Sequence, residues 1–231
     1  MEEIKLKAAD GSGEFSAFVW TPKNKEKAGA VLLIQEIFGV NDALRETGAS
    51  LAEQGFIAIA PDLFWRQQPR VELGYDDDGF SKGRVLKAGL DFERAVRDLS
   101  AATSALRALP GQSGKVASIG YCMGGLLSYL LAATGSVDAA VCYYGAGIDG
   151  YLARAEQIKC PLLFHFGEQD RLIPAAAVKA VSKAFAAKAD AWVQTYPGVD
   201  HGFNCWARAM YHQPSAALAR GRTLEFLSIY L

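Results

Sequence analysis

Gly120-Tyr121-Cys122-Met123-Gly124-Gly125 follows the apolar run Val116-Ala117-Ser118-Ile119 and precedes Leu126-Leu127, so a glycine-flanked cysteine stands between a predicted strand and a predicted helix. This is the pattern of a nucleophile elbow with cysteine in the place of serine. The glycines have a physical reason, because the chain reverses so tightly that side chains two positions either side of the nucleophile would collide. The turn pushes Cys122 into the open at a helix N-terminus, where unpaired N–H groups and the helix dipole favour a thiolate. It also places the Met123 N–H as an oxyanion donor. The competing reading is a plain buried cysteine in a tight turn, since cysteine is among the most buried residue types.

A nucleophile of this kind needs a base and an orienting acid, and in the α/β-hydrolase arrangement they follow in the order nucleophile, acid, histidine. Leu163-Phe164-His165-Phe166-Gly167-Glu168-Gln169-Asp170 runs from a strand into a turn, which places Asp170 as the orienting acid. Glu168 is the next choice, and an ordinary turn or N-cap aspartate is the competing reading of Asp170. Pro197-Gly198-Val199-Asp200-His201-Gly202-Phe203 presents His201, one of three histidines, as the general base. His165 lies inside an apolar strand and reads as a hydrogen-bonded core histidine, and His212 as a surface residue. Cys142 and Cys160 read as core, whereas Cys205, four residues past His201, lines the site without a catalytic role. All four cysteines are expected as free thiols, being scattered in neither a metal nor a disulfide pattern.

The elements that must position these residues alternate. Short apolar runs at 30–34, 56–60, 116–119, 139–143 and 161–166 read as strands buried on both faces, and 193–196 adds a sixth strand. They are separated by helical periods at 42–54, stopped by Gly55, and at 92–109, stopped by Pro110-Gly111. Residues 4–7 and 14–20 alternate apolar and polar around Asp10-Gly11-Ser12-Gly13 and predict an antiparallel edge hairpin. Leu224, Leu227 and Leu231 give a last helix an apolar stripe that docks on the sheet. The expected fold is α/β, with a mostly parallel sheet and helices on both faces, in one domain spanning 1–231. Residues 66–83 read as a polar loop covering something.

Composition narrows the function. The 231 residues are 51% hydrophobic and 21% charged, and 24 Lys plus Arg against 25 Asp plus Glu leave a net charge of -1. No basic field attracts nucleic acid. The charged start MEEIKLK and the lack of an apolar run near the roughly 18 residues of a spanning helix predict a cytoplasmic protein without a membrane partner. Neither a G-x-G-x-x-G fingerprint nor a Walker-type loop follows a strand, so no nucleotide is expected.

The sequence resembles the dienelactone hydrolase family of α/β-hydrolases over essentially its whole length. The resemblance rests on Gln35-Glu36-Ile37-Phe38-Gly39-Val40-Asn41, Ala60-Pro61-Asp62-Leu63-Phe64, the Cys122 elbow and Tyr143-Tyr144-Gly145. It implies hydrolysis of enol lactones such as carboxymethylenebutenolide by Cys122, His201 and Asp170, through an acyl-enzyme and without metal or organic cofactor. It further implies that Glu36 pairs with the resting thiol and takes its proton, the alternative being a carboxylate that merely caps a turn. The Ile37 N–H would be the second oxyanion donor. The family's carboxylate-binding arginine four residues after the histidine is replaced by Cys205 here, which leaves Arg84 and Arg208 as candidates for a substrate carboxylate or as solvated surface arginines. Phe38, Phe64, Trp65, Phe203 and Trp206 are expected either around an apolar pocket for a small substrate or in the core. The rival functional reading is a non-catalytic or thiol-sensing protein on the same scaffold. A monomer is favoured.

Overall fold

The computed structural model describes residues 1–23 and 27–231. Two compact units are present, Met1–Ser118 with Leu231 and Ile119–Tyr230.

The first unit holds β1 (Glu2–Lys7), β2 (Glu14–Trp20), β3 (Ala28–Ile34) and β4 (Ile57–Pro61), side by side in the order β1-β2-β4-β3. The β1–β2 pair is the predicted hairpin, antiparallel with Ile4 opposite Ala17, and β2 is also antiparallel to β4. β3 and β4 run parallel, and Ala30 to Ile34 are fully buried, as an apolar run covered on both faces must be. α1 (Asp42–Glu53) starts at Asn41, whose side chain accepts from Leu44 N at 3.3 Å. It stops before Gly55, which takes the left-handed φ of 94° expected of it.

The predicted covering loop at 66–83 needs correcting, because its second half is helical: α2 spans Asp77–Ala88. Asp76 caps it by accepting from Gly79 N at 2.8 Å, and Asp77 and Asp78 complement the positive helix end. Three glycines made this stretch look broken. Gly83 is there for contact, since a Cβ would come 2.7 Å from the Ile37 carbonyl oxygen. The preceding irregular segment is fastened rather than loose. Asp62 accepts from the backbone of Phe64 (3.0 Å) and Arg70 (2.6 Å), and Arg66 bridges Asp98 and Asp10. Asp98 belongs to α3 (Phe92–Arg107), which packs against β3.

β5 (Gln112–Tyr121) starts in the first unit and ends in the second, where β6 (Ala139–Tyr143), β7 (Leu162–Gly167) and β8 (Ala191–Tyr196) follow it in order. β6, β7 and β8 are mutually parallel, with Cys142 opposite Phe164 and Phe164 opposite Val193. α4 (Met123–Ala133) packs against β6 and is buried from Met123 to Ala132, which its apolar sequence requires. α5 (Ala175–Ala184) opens at Pro174, and a 3-10 segment at Ile148–Gln157 packs against it. α6 (Gln213–Tyr230) lies on β6 and β7. No helix among the described residues is long and apolar enough to cross a membrane.

Candidate active site

Between the last residue of β5 and the first of α4 stands one residue, Cys122, with φ 55° and ψ -114°. A side chain held at such a backbone costs about 1–3 kcal/mol and persists only where the surroundings impose it. They do so here. Cys122 N donates to the Tyr143 carbonyl at 3.0 Å, and its own carbonyl accepts from Gly125 N at 2.9 Å and Leu126 N at 3.2 Å. A Cβ on Gly120 would collide with the Gly124 carbonyl oxygen, and one on Gly125 would lie 2.5 Å from that of Tyr143. The glycine spacing is therefore a steric requirement of the turn. Contrary to the sequence expectation of an open thiol, Cys122 is only 8% exposed.

Asp170 lies three residues beyond β7 and is buried. Its two oxygens divide the roles that the sequence left as alternatives: Oδ1 accepts from Leu172 N at 2.8 Å as a turn aspartate would, and Oδ2 meets His201 Nδ1 at 2.8 Å. Glu168 points elsewhere, accepting from Gly198 N at 3.3 Å on the surface. His201 is 5% exposed, its ring stands edge-on to Tyr144 at 4.9 Å between centroids, and its Nε2 is buried without a hydrogen-bond partner. Burial disfavours the charged imidazolium, but the electrostatic pull of Cys122 and the hydrogen bond that the ring donates to Asp170 outweigh it and raise His201 to about 10. The arrangement thus favours a proton on the imidazole.

Two residues that sequence reasoning missed complete this geometry. Tyr144 takes a positive φ of 36° and donates its N–H to the His165 carbonyl at 2.8 Å, which lays its ring on His201. Asp200 accepts from His201 N at 2.7 Å. Tyr144 stands in the Tyr143-Tyr144-Gly145 stretch that carries the resemblance, with nothing in its spacing to place it at His201, whereas Asp200 was visible as the carboxylate next to the histidine.

The remaining candidates fall in both units. In the second, Phe203 is fully buried against Tyr196 (4.9 Å) and Tyr144 (5.7 Å), and Trp206 is exposed. Arg208 is 8% exposed and lies against Gly202, where a Cβ would strike its guanidinium. In the first, Glu36 and Ile37 are buried just beyond β3, and Gln35 Nε2 donates to the Glu36 carbonyl at 3.3 Å. Phe38 is packed between Tyr75 (4.6 Å) and Phe80 (4.9 Å). Trp65 donates its indole N–H to Asp98 at 3.1 Å and stacks on Phe15. Arg84 is exposed on α2 near Asp77 and Phe80. His165 is the satisfied core histidine expected, and all four cysteines are free thiols.

Residues 15–231 match the model of the Dienelactone hydrolase family. The chain belongs to the dienelactone hydrolase family. It is 39% identical over 228 residues to a carboxymethylenebutenolidase of Pseudomonas putida, covering 98% of this chain and 96% of that protein. A crystal structure from Klebsiella pneumoniae superposes with a TM-score of 0.85 at 29% identity, covering 99% of both chains. A dienelactone hydrolase-like promiscuous phosphotriesterase from metagenomic libraries gives 0.78 at 25%, covering 99% of this chain and 98% of its own. The fold is therefore that of the α/β-hydrolases, with a mixed, mostly parallel sheet and antiparallel N-terminal strands, and the protein is a carboxymethylenebutenolidase-like carboxylic ester hydrolase.

Proposed function

We propose that this family member hydrolyses small enol lactones or activated esters with Cys122 as nucleophile, His201 as general base and Asp170 as the acid that orients it. The observation that carries the reading is the Asp170–His201 hydrogen bond of 2.8 Å, on a ring whose other nitrogen is buried and whose proton is held by the charge of Cys122. In this scheme the thiolate attacks the carbonyl carbon, the first N–H of α4, on Met123, receives the oxyanion, and the C–O bond breaks as His201 gives the proton it took from the thiol to the departing enol or phenol oxygen, leaving a thioester and a neutral imidazole. His201 then takes a proton from water, whose oxygen attacks the thioester and regenerates the thiolate. A thiolate leaves more readily than an amine, so substrates with stabilised leaving groups are favoured over peptides.

Two groups compete for the thiol proton, and the high pKa of His201 favours the histidine. Glu36 is assigned as a second acceptor, and Ile37 as a second oxyanion donor, from the family likeness and their burial beyond β3. The match of one family model from residue 15 to 231 supports reading the chain as one hydrolase domain. The thiol-sensing alternative finds no activated partner in Cys142 or Cys160, because burial pushes Cys142 far up and Cys160 to about 11. Steady-state hydrolysis of dienelactones and aryl acetates by wild type and Cys122→Ala tests the proposal. Turnover by wild type that vanishes in the variant is expected, and activity retained by Cys122→Ala would overturn it.

A further inference from the structure

The loops that leave β7 and β8 are laced together. Glu168 N donates to the Tyr196 carbonyl at 2.9 Å and Gln169 N to that of Val199 at 3.0 Å. The next two residues of each loop then pair crosswise: Asp170 with His201, and Arg171 with Asp200. Asp200 Oδ1 accepts from two backbone amides on opposite loops, His201 N at 2.7 Å and Arg171 N at 3.1 Å. Its Oδ2 takes Arg171 Nε at 2.8 Å and Nη2 at 2.7 Å. We propose that Asp200 is a positioning residue, whose carboxylate pins the backbone of His201 to the backbone that carries Asp170.

The physical need is specific. Gly198 and Gly202 both take left-handed φ, at 70° and 81°, so the stretch bearing His201 has a soft joint on each side. A hydrogen bond between two side chains tolerates little sliding of the backbones beneath them, and a displacement of about 1 Å is enough to cost a catalytic group much of its effect. Asp200 closes the gap between the two backbones beside the Asp170–His201 bond, from a side chain that does not face the reacting atoms. The outer half of the clip contributes little, because the Arg171 side chain is 84% exposed and its ion pair is screened by solvent. The two amide bonds to Oδ1 carry the effect.

This inference rests on the reading of His201 as general base, and the test separates the two. Aryl acetate kinetics and the His201 Nδ1–H proton resonance are measured for wild type, Asp200→Ala, Asp200→Asn and Arg171→Ala, with folding checked by circular dichroism and melting. In Asp200→Ala, kcat is expected to fall about tenfold or more at unchanged KM, with the Nδ1–H resonance shifted or lost, since orientation rather than binding is impaired. Asp200→Asn keeps an acceptor oxygen and Arg171→Ala keeps the amide bond, so both should stay within about threefold of wild type. A folded Asp200→Ala protein with unchanged kcat and resonance would overturn the inference, and so would Asp200→Asn as damaging as Asp200→Ala. Absence of turnover in wild type would instead defeat the hydrolase reading, and the resonance comparison would still decide the role of Asp200.

Discussion

His165 inside β7 and His201 in the loop after β8 are equally removed from water, at 0% and 5% exposure, yet their proton affinities lie at opposite extremes. His165 Nδ1 meets the Tyr196 hydroxyl at 2.8 Å and Nε2 the Thr223 hydroxyl at 3.0 Å. Both partners are neutral, so burial dominates, the charge of Arg222 adds to it, and the pKa falls to about 3. His201 faces the same burial, but the electrostatic pull of Cys122 and the hydrogen bond to the Asp170 carboxylate outweigh it, and it rises to about 10. The two rings show that burial alone does not set a histidine's charge. The charge of its partners does.

The comparison can be broken most severely at the anions around His201. Cys122→Ala should lower turnover by about 10⁴-fold or more, because no other group replaces the attacking atom. In Cys122→Ser the His201 pKa should drop from about 10 toward or below 6.5, read by NMR titration, because burial then meets less opposition. An imidazole still protonated at pH 9 in that variant would contradict the origin assigned to the shift.

Asp170→Asn should lower kcat by about 10³- to 10⁴-fold through loss of the charge and tautomer that Nδ1 requires. A pH–rate profile and kcat together check this, since both should change in the same variant.

His165 offers the opposite test. An unfolded histidine titrates near 6.5, whereas folded His165 refuses the proton down to about 3. Stability therefore falls as pH drops from 6.5 toward 3, by about 5 kcal/mol in full. For His201 the sign is reversed: its contribution is complete below pH 6.5 and is lost as pH rises through 10. Urea unfolding at pH 7 and pH 4 should show a smaller loss in His165→Asn than in wild type, even though the variant is less stable at pH 7. An equal loss in both proteins would place the acid sensitivity elsewhere.

The smallest effect is expected at the rim of the His201 loop. Arg208→Ala should raise KM about tenfold for esters that carry a carboxylate and leave neutral aryl acetates nearly unchanged, if its guanidinium receives that group. Equal effects on both substrates would assign Arg208 to supporting Gly202 instead.

Much of this was legible in the residues themselves, for identifiable reasons. The strands were visible because buried parallel strands are continuous apolar runs, and the elbow because only glycine fits at 120 and 125. α2 was obscured since Gly79 and Gly83, which weaken a helix read locally, are there to let neighbouring backbone come close. Asp170 and His201 were found by order and turn chemistry, but the contact between them spans 31 residues and belongs to the packing of β7 beside β8.

The sequence by itself determined which side chains have chemistry to offer and the local backbone each needs, because those depend on residue type and near neighbours. The tertiary structure alone decided which of two buried histidines binds its proton more tightly and which aspartate oxygen faces the ring. It also brought Arg171 to Asp200 and Tyr144 to His201. Electrostatic environment and orientation arise from atoms far apart in the chain, and only the fold sets their distances.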